Sequence, residues 1–281
     1  MYVVFLLFLR CYFNGMKRIL GIFLMALFLI IGSLEVFAWG QKGHDIVACI
    51  AEKHLTRKAK KNLNAILGGK SLVYYASWLD NVQNSPYWKG GYERTRTWHY
   101  MNVNEEYTPQ TMPRNPKGDV LSALNMLIDS LENHRKELSD SVCFDYTRMM
   151  VHLVGDMHCP MHVGRLSDRG GNWVKIKWFE HETNLHALWD SKLLESVHSW
   201  SYTEWQQNID LCSKSEIARM TSGTIEDWLN ETWQVTVGIY ANVTPGENYS
   251  YKYMYDYGPV VERQLLLAGY RLAALLNRIF G

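Results

Sequence analysis

The chain has 281 residues, 47% of them hydrophobic and 20% charged, and its formal net charge is +1. This length suits one large domain or two small ones, and the composition excludes a disordered chain. A nearly neutral chain also lacks the basic excess with which most nucleic-acid-binding proteins neutralise phosphates. A polyphosphate partner would therefore require cations other than Lys and Arg.

Residues 1–38 are typical of a cleaved signal peptide. Met16 offers a second start, where a basic pair precedes an apolar run over residues 19–31. Ala38 and the small residue two positions before it fit a signal-peptidase site. The alternative is a retained transmembrane anchor, but polar residues interrupt the apolar run and no basic cluster follows it. We therefore expect a secreted or periplasmic protein that spans residues 39–281, with no membrane association after cleavage.

Cleavage after Ala38 would remove three basic residues and one acidic residue, which changes the net charge to −1. Four cysteines would remain: Cys49, Cys143, Cys159 and Cys212. Secretion permits disulfide bonds, and four cysteines allow three full pairings, among which the spacing does not choose. None of the four lies in a Cys-x-x-Cys zinc pattern.

The first helical pattern covers residues 43–67 and predicts two helices. They are separated near Thr56, a candidate N-cap, and the second ends at Gly68. Helical spacing recurs at six places farther along the chain: residues 119–138, 145–157, 185–197, 203–220, 225–240 and 260–280.

Residues 173–179 predict one strand, because β-branched and aromatic side chains follow two glycines. Residues 86–91 and 104–118 are rich in Pro, Gly and Asn and predict loops. The chain shows no repeat and no low-complexity linker. The pattern therefore predicts a single all-α, multi-helix domain with a short β element.

Two His-x-x-x-Asp pairs, His152/Asp156 and His186/Asp190, lie on predicted helices. Residues four apart share one helix face, so each pair can direct two ligands at the same site. An imidazole and a carboxylate suit zinc. One such pair is more often a surface ion pair, but two pairs within 40 residues indicate a metal site.

Four more residues extend this set. His162 follows Asp156 by six residues, across a proline that ends the helix and turns the chain. His44 lies five residues after Trp39. Taken singly, Asp80 also reads as the cap of a turn and His99 as a core histidine among aromatic residues.

In order and spacing, these residues resemble the zinc-dependent single-strand-specific nucleases of fungi and the bifunctional nucleases of plants, a family with bacterial members. The family pattern starts with Trp as the first mature residue and a His five positions later. It continues through an Asp, a His and His-x-x-x-Asp-x5-His, and ends with Asn-Leu-His-x-x-Trp-Asp. This sequence supplies each element, from Trp39 to Asp190, and the resemblance covers nearly all of residues 39–281. It implies a fold of the phospholipase C/nuclease type.

The resemblance implies three zinc ions. The first would be held by Asp80, His99, His152 and Asp156. The second would be held by His162, His186 and Asp190. The third would be held by His44, Asp156 and the α-amino and carbonyl groups of Trp39. Asp156 would thus bridge two ions, and the Trp39 amine would be a ligand only after signal-peptide cleavage.

The activity implied is hydrolysis of P–O3′ bonds in single-stranded DNA or RNA and in 3′-nucleotides, which leaves 5′-phosphate ends. A hydroxide bridging two zinc ions would attack phosphorus, with Asp156 as the catalytic bridging ligand. Zinc would also supply the positive charge that the surface lacks. We expect a monomer with no stable protein partner.

Three further residues are candidates for substrate contacts, and one of them, Asn172, is also a candidate catalytic residue. Asn172 matches a family asparagine that contacts the phosphate, although a turn entering the strand explains it equally well. Tyr100 matches an aromatic residue able to stack on a base. Asn102 stands where fungal members carry an acidic residue, so it can contact substrate but cannot act as a general base. Gln83 replaces a basic residue of the fungal pattern.

Two other functions share part of this pattern. Zinc-dependent phospholipase C resembles this family in fold, but its last helical pair is typically His-x-x-x-Glu and its first His lies farther from the Trp. A non-catalytic secreted zinc-binding protein would have closed and usually Cys-rich sites, whereas the candidate ligands include no cysteine.

Overall fold

The structure, a computed structural model, describes residues 39–82, 85–86, 88 and 91–281. The predicted signal peptide with its alternative start at Met16, and also Gln83, lie outside these described residues. The described residues from Trp39 onwards belong to one compact unit.

Helices dominate the described chain, which confirms the all-α prediction. In chain order they are α1 (Gln41–Lys53), α2 (Arg57–Ile66), α3 (Leu72–Tyr75), α4 (Trp78–Val82), α5 (Gly91–Thr95), α6 (Val120–Asn133), α7 (Asp140–His158), α8 (Leu185–Ala187), α9 (Leu193–Val197), α10 (Tyr202–Ile209), α11 (Lys214–Met220), α12 (Ile225–Ala241) and α13 (Tyr251–Phe280). Short 3₁₀ turns follow α6 and α7 (Arg135–Glu137 and Pro160–Val163), and a π turn (Leu188–Lys192) joins α8 to α9.

Side-chain caps set the starts of several helices. Thr56 accepts a hydrogen bond from the Ala59 amide and begins α2, as predicted. Asp119 forms a capping box with Ser122 at the start of α6. Ser139 caps α7, so this helix begins five residues before the predicted residue 145. A serine cap satisfies an amide that would otherwise lack a partner, which is why it fixes the boundary.

The single helix predicted over residues 203–220 is wrong, because the structure has two helices there. Ser213 forms a capping box that starts α11 afresh. The preceding Asp210 is held by distant partners: its carboxylate accepts from the Tyr270 hydroxyl at 2.7 Å and lies 2.9 Å from Nε2 of His54. These tertiary contacts interrupt a pattern that is locally continuous.

Helix α13 begins at Tyr251, well before the predicted start at residue 260, and includes Pro259. Its first turns are anchored by aromatic contacts: the Trp189 indole donates to the Tyr253 hydroxyl at 2.9 Å, and Tyr257 meets the same ring edge-on. A proline removes one backbone donor, and packing of the aromatic side chains offsets that loss.

Helix α7 lies in the middle of the core, in contact with α6, α13, α12 and α4, while α13 packs along α1. Gly269 permits the closest approach of α13 to α1, because a Cβ there would lie 2.5 Å from Cγ2 of Ile50. The central position of α7 matters for function, because any polar residue on its inner face is withdrawn from water.

The strand prediction over residues 173–179 is confirmed in part. Strand β1 (Lys175–Trp178) pairs antiparallel with β2 (His181–Asn184) and parallel with β3 (Asn248–Tyr249). Phe179 and Glu180 both have positive φ, 49° and 67°, which is typical of the two-residue turn that joins such a hairpin. β2 and β3 are too short and too polar to produce an alternating pattern in the sequence.

The structure also bears on the predicted membrane association and on the cysteines. Among the described residues, no helix is both long enough and apolar enough to cross a membrane. All four cysteines of the described chain are free thiols in the structure. Cys143 and Cys159 stand near opposite ends of α7, roughly 24 Å apart along its axis, so these two cannot pair.

Candidate metal centre

Helix α7 carries His152 and Asp156 into the core. Because they are four residues apart, they share a face, and Nε2 of His152 lies 3.2 Å from Oδ2 of Asp156. Both side chains are fully buried. A buried imidazole and carboxylate are costly unless protein groups or a metal ion satisfy them.

Asp80 on α4 and His99 after α5 reach the same place. Nδ1 of His99 lies 2.9 Å from Oδ2 of Asp156 and 3.5 Å from Oδ1 of Asp80. Nε2 of His152 lies 3.4 Å from the same Asp80 oxygen. Two residues that are ambiguous in the sequence are therefore brought together with the α7 pair by the packing of α4 on α7.

His44, on α1, completes this group. Its Nε2 lies 3.2 Å from Oδ1 of Asp156, and its ring stacks on that of His152 with centroids 4.1 Å apart. Gly155 makes the space, because a Cβ there would lie 2.7 Å from Nδ1 of His44. We call these five residues the shared cluster: His44, Asp80, His99, His152 and Asp156.

His162, His186 and Asp190 meet nearby, and we call them the second cluster. Nε2 of His186 lies 3.0 Å from Oδ2 of Asp190, and Nε2 of His162 lies 3.9 Å from the other oxygen, Oδ1. The two imidazole rings are 5.1 Å apart. The 3₁₀ turn after α7, the helix α8 and the π turn each supply one of these residues.

Backbone carbonyls orient three of the imidazoles by accepting a hydrogen bond from Nδ1. Nδ1 of His152 donates to the Ala76 carbonyl at 2.8 Å, that of His162 to the His99 carbonyl at 2.6 Å, and that of His186 to the Gly170 carbonyl at 2.6 Å. This arrangement leaves each Nε2 as the free ligand atom, which is how metal-binding histidines are oriented. The His162 bond also links the two clusters, because His99 belongs to the shared one.

The residues fit metal ions. Nε2 of His44, His162 and His186 and Oδ1 of Asp156 are buried and have no hydrogen-bond partner. Three groups have ligand atoms within 4.8 Å of one another: His44, His152 and Asp156; Asp80, His99 and His152; and Cys159, His162 and Asp190. Nitrogen and oxygen donors at this density suit zinc or a similar divalent ion.

A cysteine lies at the site, contrary to the prediction that the ligand clusters contain none. Sγ of Cys159 lies 3.4 Å from Oδ1 of Asp190, inside the second cluster. The sequence does contain a signal, since Cys159 stands three residues before His162, a spacing that zinc ligands use. Because the intervening Pro160 begins a 3₁₀ turn, both side chains reach Asp190.

Electrostatics in the shared cluster are dominated by its carboxylates. Burial opposes a charge on His152, but Asp156 and Asp80 outweigh it and hold the pKa of His152 well above its usual value. Burial would likewise raise the pKa of Asp156, yet His152 and its other imidazole neighbours hold that pKa well below its usual value. Burial lowers the pKa of His44. A metal cation would take the place of the proton that His152 carries.

The pKa values of the second cluster's histidines and of the cysteine beside them are also shifted. Burial lowers the pKa of His162. Burial would lower that of His186 too, but Asp190 outweighs it and raises the pKa. Burial, together with Asp190, raises the pKa of Cys159 well above its usual value, so its thiol remains protonated and can donate.

Trp39 precedes every cluster residue in the sequence and contacts the elements of both clusters. Its side chain is fully buried and packs against Gly43, next to His44. The adjacent Gly40 amide donates to the Asp190 carbonyl at 2.7 Å. The backbone at Trp39 is therefore tied to the second cluster on one side and to a shared-cluster helix on the other.

The three predicted substrate-contact residues have different surroundings. Oδ1 of Asn102 is buried without a hydrogen-bond partner and faces Gly170, the residue that anchors His186. Tyr100 is half-buried beside the ligand His99. The amide of Asn172 donates to the Arg169 carbonyl at 2.8 Å, which is the turn-forming contact that the sequence also allows.

The histidines outside the clusters have other partners. His158 is buried near the shared cluster, but its Nδ1 donates to the Val154 carbonyl and its Nε2 accepts from Arg271 at 3.0 Å. Burial and the Arg271 charge lower the pKa of His158 to about 3. With both ring nitrogens engaged, His158 has no atom left for a metal.

Residues 39–281 match the S1/P1 nuclease family. The chain belongs to this family. Endonuclease 4 of Arabidopsis thaliana is 30% identical over 283 residues, which cover 86% of this chain and 89% of that protein. Endonuclease 2 of the same plant is 26% identical, covering 92% and 96%, and Nuclease S1 of Aspergillus oryzae is 26% identical, covering 86% and 92%.

Membership of the S1/P1 nuclease family makes the chain a nuclease, a hydrolase of ester bonds. It also agrees with the two clusters, since a metal-dependent member needs buried imidazoles and carboxylates whose ligand atoms lie close together.

Proposed function

We propose that this nuclease is zinc-dependent and cleaves P–O3′ bonds in single-stranded DNA or RNA and in 3′-nucleotides, leaving 5′-phosphate ends. The observation that supports this most is that two buried His/Asp clusters meet, and that four of their ligand atoms have no hydrogen-bond partner: Nε2 of His44, His162 and His186 and Oδ1 of Asp156. The linked clusters suit several ions, and sites with more than one ion suit the hydrolysis of phosphate esters. The names of the relatives, endonuclease and Nuclease S1, support a polymeric nucleic acid as substrate.

The proposed complement is three zinc ions. Asp80, His99, His152 and Asp156 would hold the first. His162, His186 and Asp190 would hold the second. His44, Asp156 and the terminal amine and carbonyl of Trp39 would hold the third. Bound zinc supplies positive charge to the phosphoryl group and makes water a stronger acid.

Asp156 can serve two ions because its two oxygens face different partners. Oδ1 lies 3.2 Å from His44, and Oδ2 lies within 3.2 Å of both His99 and His152. Its low pKa keeps both oxygens unprotonated. The packing of α7 in the core fixes the direction of the carboxylate, so the residue contributes preorganisation as well as charge.

Substrate contacts are proposed for Tyr100, Asn102 and Asn172. Tyr100 would stack on a base. The unpartnered Oδ1 of Asn102 would accept a hydrogen bond from a base or sugar. The Asn172 amide has one N–H committed to Arg169, and the second would donate to a phosphate oxygen.

Secretion to the periplasm or the exterior is also proposed, with cleavage after Ala38 and a monomeric product. Cleavage gives Trp39 a free amine, and the tie between Gly40 and Asp190 supports a position for that amine at the metal centre. Complete metal binding would then depend on cleavage of the signal peptide, because the uncleaved chain lacks the terminal amine ligand.

The test uses zinc-loaded protein that begins at Trp39. It would be assayed on single-stranded DNA, RNA, a 3′-nucleotide and phosphatidylcholine, with and without chelator. We expect cleavage of the nucleic acids and the nucleotide, 5′-phosphate ends, loss with chelator and recovery with zinc. Hydrolysis of phosphatidylcholine alone would indicate a phospholipase C, and no hydrolysis would indicate a non-catalytic zinc protein; either result contradicts the proposal.

The N-terminal ligand is tested separately. A version with one added residue before Trp39 keeps every side chain but moves the amine. We expect it to bind one zinc ion fewer and to lose most of its activity. Unchanged zinc content and activity would remove Trp39 from the ligand set while leaving the nuclease assignment intact.

A further inference from the structure

Cys159 is the residue on which α7 ends, between the two clusters. Its side chain is fully buried. Its Sγ has the Asp190 carboxylate as hydrogen-bond partner, with 3.4 Å between Sγ and Oδ1. This is within the normal range for a hydrogen bond that involves sulfur.

The two oxygens of Asp190 have separate roles in the structure. Oδ1 meets the thiol of Cys159, while Oδ2 lies 3.0 Å from Nε2 of His186. A second observation points to a ligand at this position: Nε2 of His162 and Nε2 of His186 are both buried, face Asp190 and have no hydrogen-bond partner. An ion bound to Nε2 of His186 would be next to Oδ2.

The backbone alone does not fix the Asp190 side chain. The residue lies on the π turn, and its carbonyl is used by the Gly40 amide. The three imidazoles that carbonyls orient have Nδ1–H donors, but a carboxylate has none. A carboxylate is oriented by the donors that reach it, and the Cys159 thiol donates to Oδ1 of Asp190.

We propose that Cys159 is a positioning residue of the second metal site, where its thiol donates a hydrogen bond to Oδ1 of Asp190 and so presents Oδ2 to the metal. The proposal rests on the proposed function only in requiring that the second cluster binds a metal ion. It assigns Cys159 no contact with substrate and no place among the ligands.

The experiment measures metal binding directly. Cys159→Ala removes the donor, Cys159→Ser keeps one, and Cys143→Ala is the matched control, a buried cysteine near the other end of α7. Each protein is stripped with chelator, checked for an unchanged circular dichroism spectrum, and titrated with Zn²⁺ against a chromophoric chelator. We expect Cys159→Ala to weaken one site by about 10- to 100-fold. Cys159→Ser should recover most of that affinity, and Cys143→Ala should match the unaltered protein.

Cobalt distinguishes a positioning residue from a ligand. The Co²⁺-loaded protein should lack a thiolate-to-cobalt charge-transfer band in the near ultraviolet. Such a band, if it disappears in Cys159→Ala, would make Cys159 a ligand and overturn the proposal. Unchanged zinc affinity in Cys159→Ala would overturn it as well. A protein that binds zinc as expected but cleaves no nucleic acid would instead contradict the proposed function and leave the role of Cys159 standing.

Discussion

The shared cluster and the second cluster are built from the same residue types but are held in different ways. His152 and Asp156 of the shared cluster lie on a 19-residue helix in the middle of the core. The second cluster takes its residues from a 3₁₀ turn, a three-residue helix and a π turn. Its longest ligand contact, from His162 to Asp190, is 3.9 Å, whereas the contacts within the shared cluster are 3.5 Å or less.

The difference also lies in how the ligands depend on one another. In the shared cluster, one carboxylate contacts three imidazoles, so Asp156 is a common point. In the second cluster, each imidazole has its own carbonyl anchor, and Asp190 relies on Cys159. Changes at Asp156 should therefore spread through the centre, whereas changes in the second cluster should remain local.

The largest effect is expected from Asp156→Asn. The substitution keeps the shape but removes the charge, so the three neighbouring imidazoles lose their common partner. We expect two fewer bound zinc ions and a loss of kcat/KM of about 1000-fold, which corresponds to roughly 4 kcal/mol. Metal analysis measures the zinc content, and the rate of single-stranded DNA cleavage gives kcat/KM. Asp140→Asn, exposed at the start of the same helix, is the control. Retention of all ions would show that the cluster does not depend on this carboxylate.

A smaller effect is expected from Asp190→Asn. The second cluster should lose its ion while the shared cluster remains loaded, with activity about 100-fold lower. Zinc content per chain and kcat/KM on the same substrate are the measurements. Loss of two or more ions would break the comparison, because it would mean that the hydrogen bond from His162 to the His99 carbonyl couples the clusters strongly.

Gly155→Ala tests the space beside His44. The new Cβ would lie 2.7 Å from Nδ1 of His44, so the ring must move away from Asp156. We expect about a tenfold weaker affinity for one zinc ion, measured by chelator competition. Gly238→Ala on α12, where a Cβ meets nothing within 4 Å, should behave like the unaltered protein. Equal affinities in the two variants would mean that His44 is not held by this packing.

The smallest effect concerns His158, which lies on α7 like His152. The pKa of His158 is lowered, whereas that of His152 is raised. Its folded-state pKa of about 3 is below the ordinary 6.5, so between these values the unfolded chain binds a proton that the folded one does not. Stability therefore falls as pH decreases through this window. Between pH 6 and pH 5, this histidine should lower the free energy of unfolding by about 1 kcal/mol.

His158→Gln should remove that contribution. Urea unfolding of the metal-free protein at both pH values measures it, and the exposed His134→Gln serves as control. If His158→Gln loses as much stability as the unaltered protein over this interval, the buried contact with Arg271 does not keep His158 neutral.

The sequence by itself determined the helical class and the pairing of ligands one helical turn apart. His152 and Asp156 had to share a face once α7 formed, because i and i+4 positions always do. Caps such as Thr56 and Asp119 were equally readable, since a side chain that bonds an amide three residues away is a local interaction.

Only the tertiary structure decided which residues meet. Asp80 and His99 were ambiguous because nothing in their own neighbourhood sets them apart from a cap or a core histidine; packing of α4 and the turn after α5 against α7 brings them to Asp156. Cys159 was not predicted at the site because it lies in no Cys-x-x-Cys motif. The 3₁₀ turn at Pro160 and the π turn at Asp190 nevertheless bring its thiol to the second cluster. Contacts between segments far apart in sequence depend on the packing of the whole core, which local periodicity does not record.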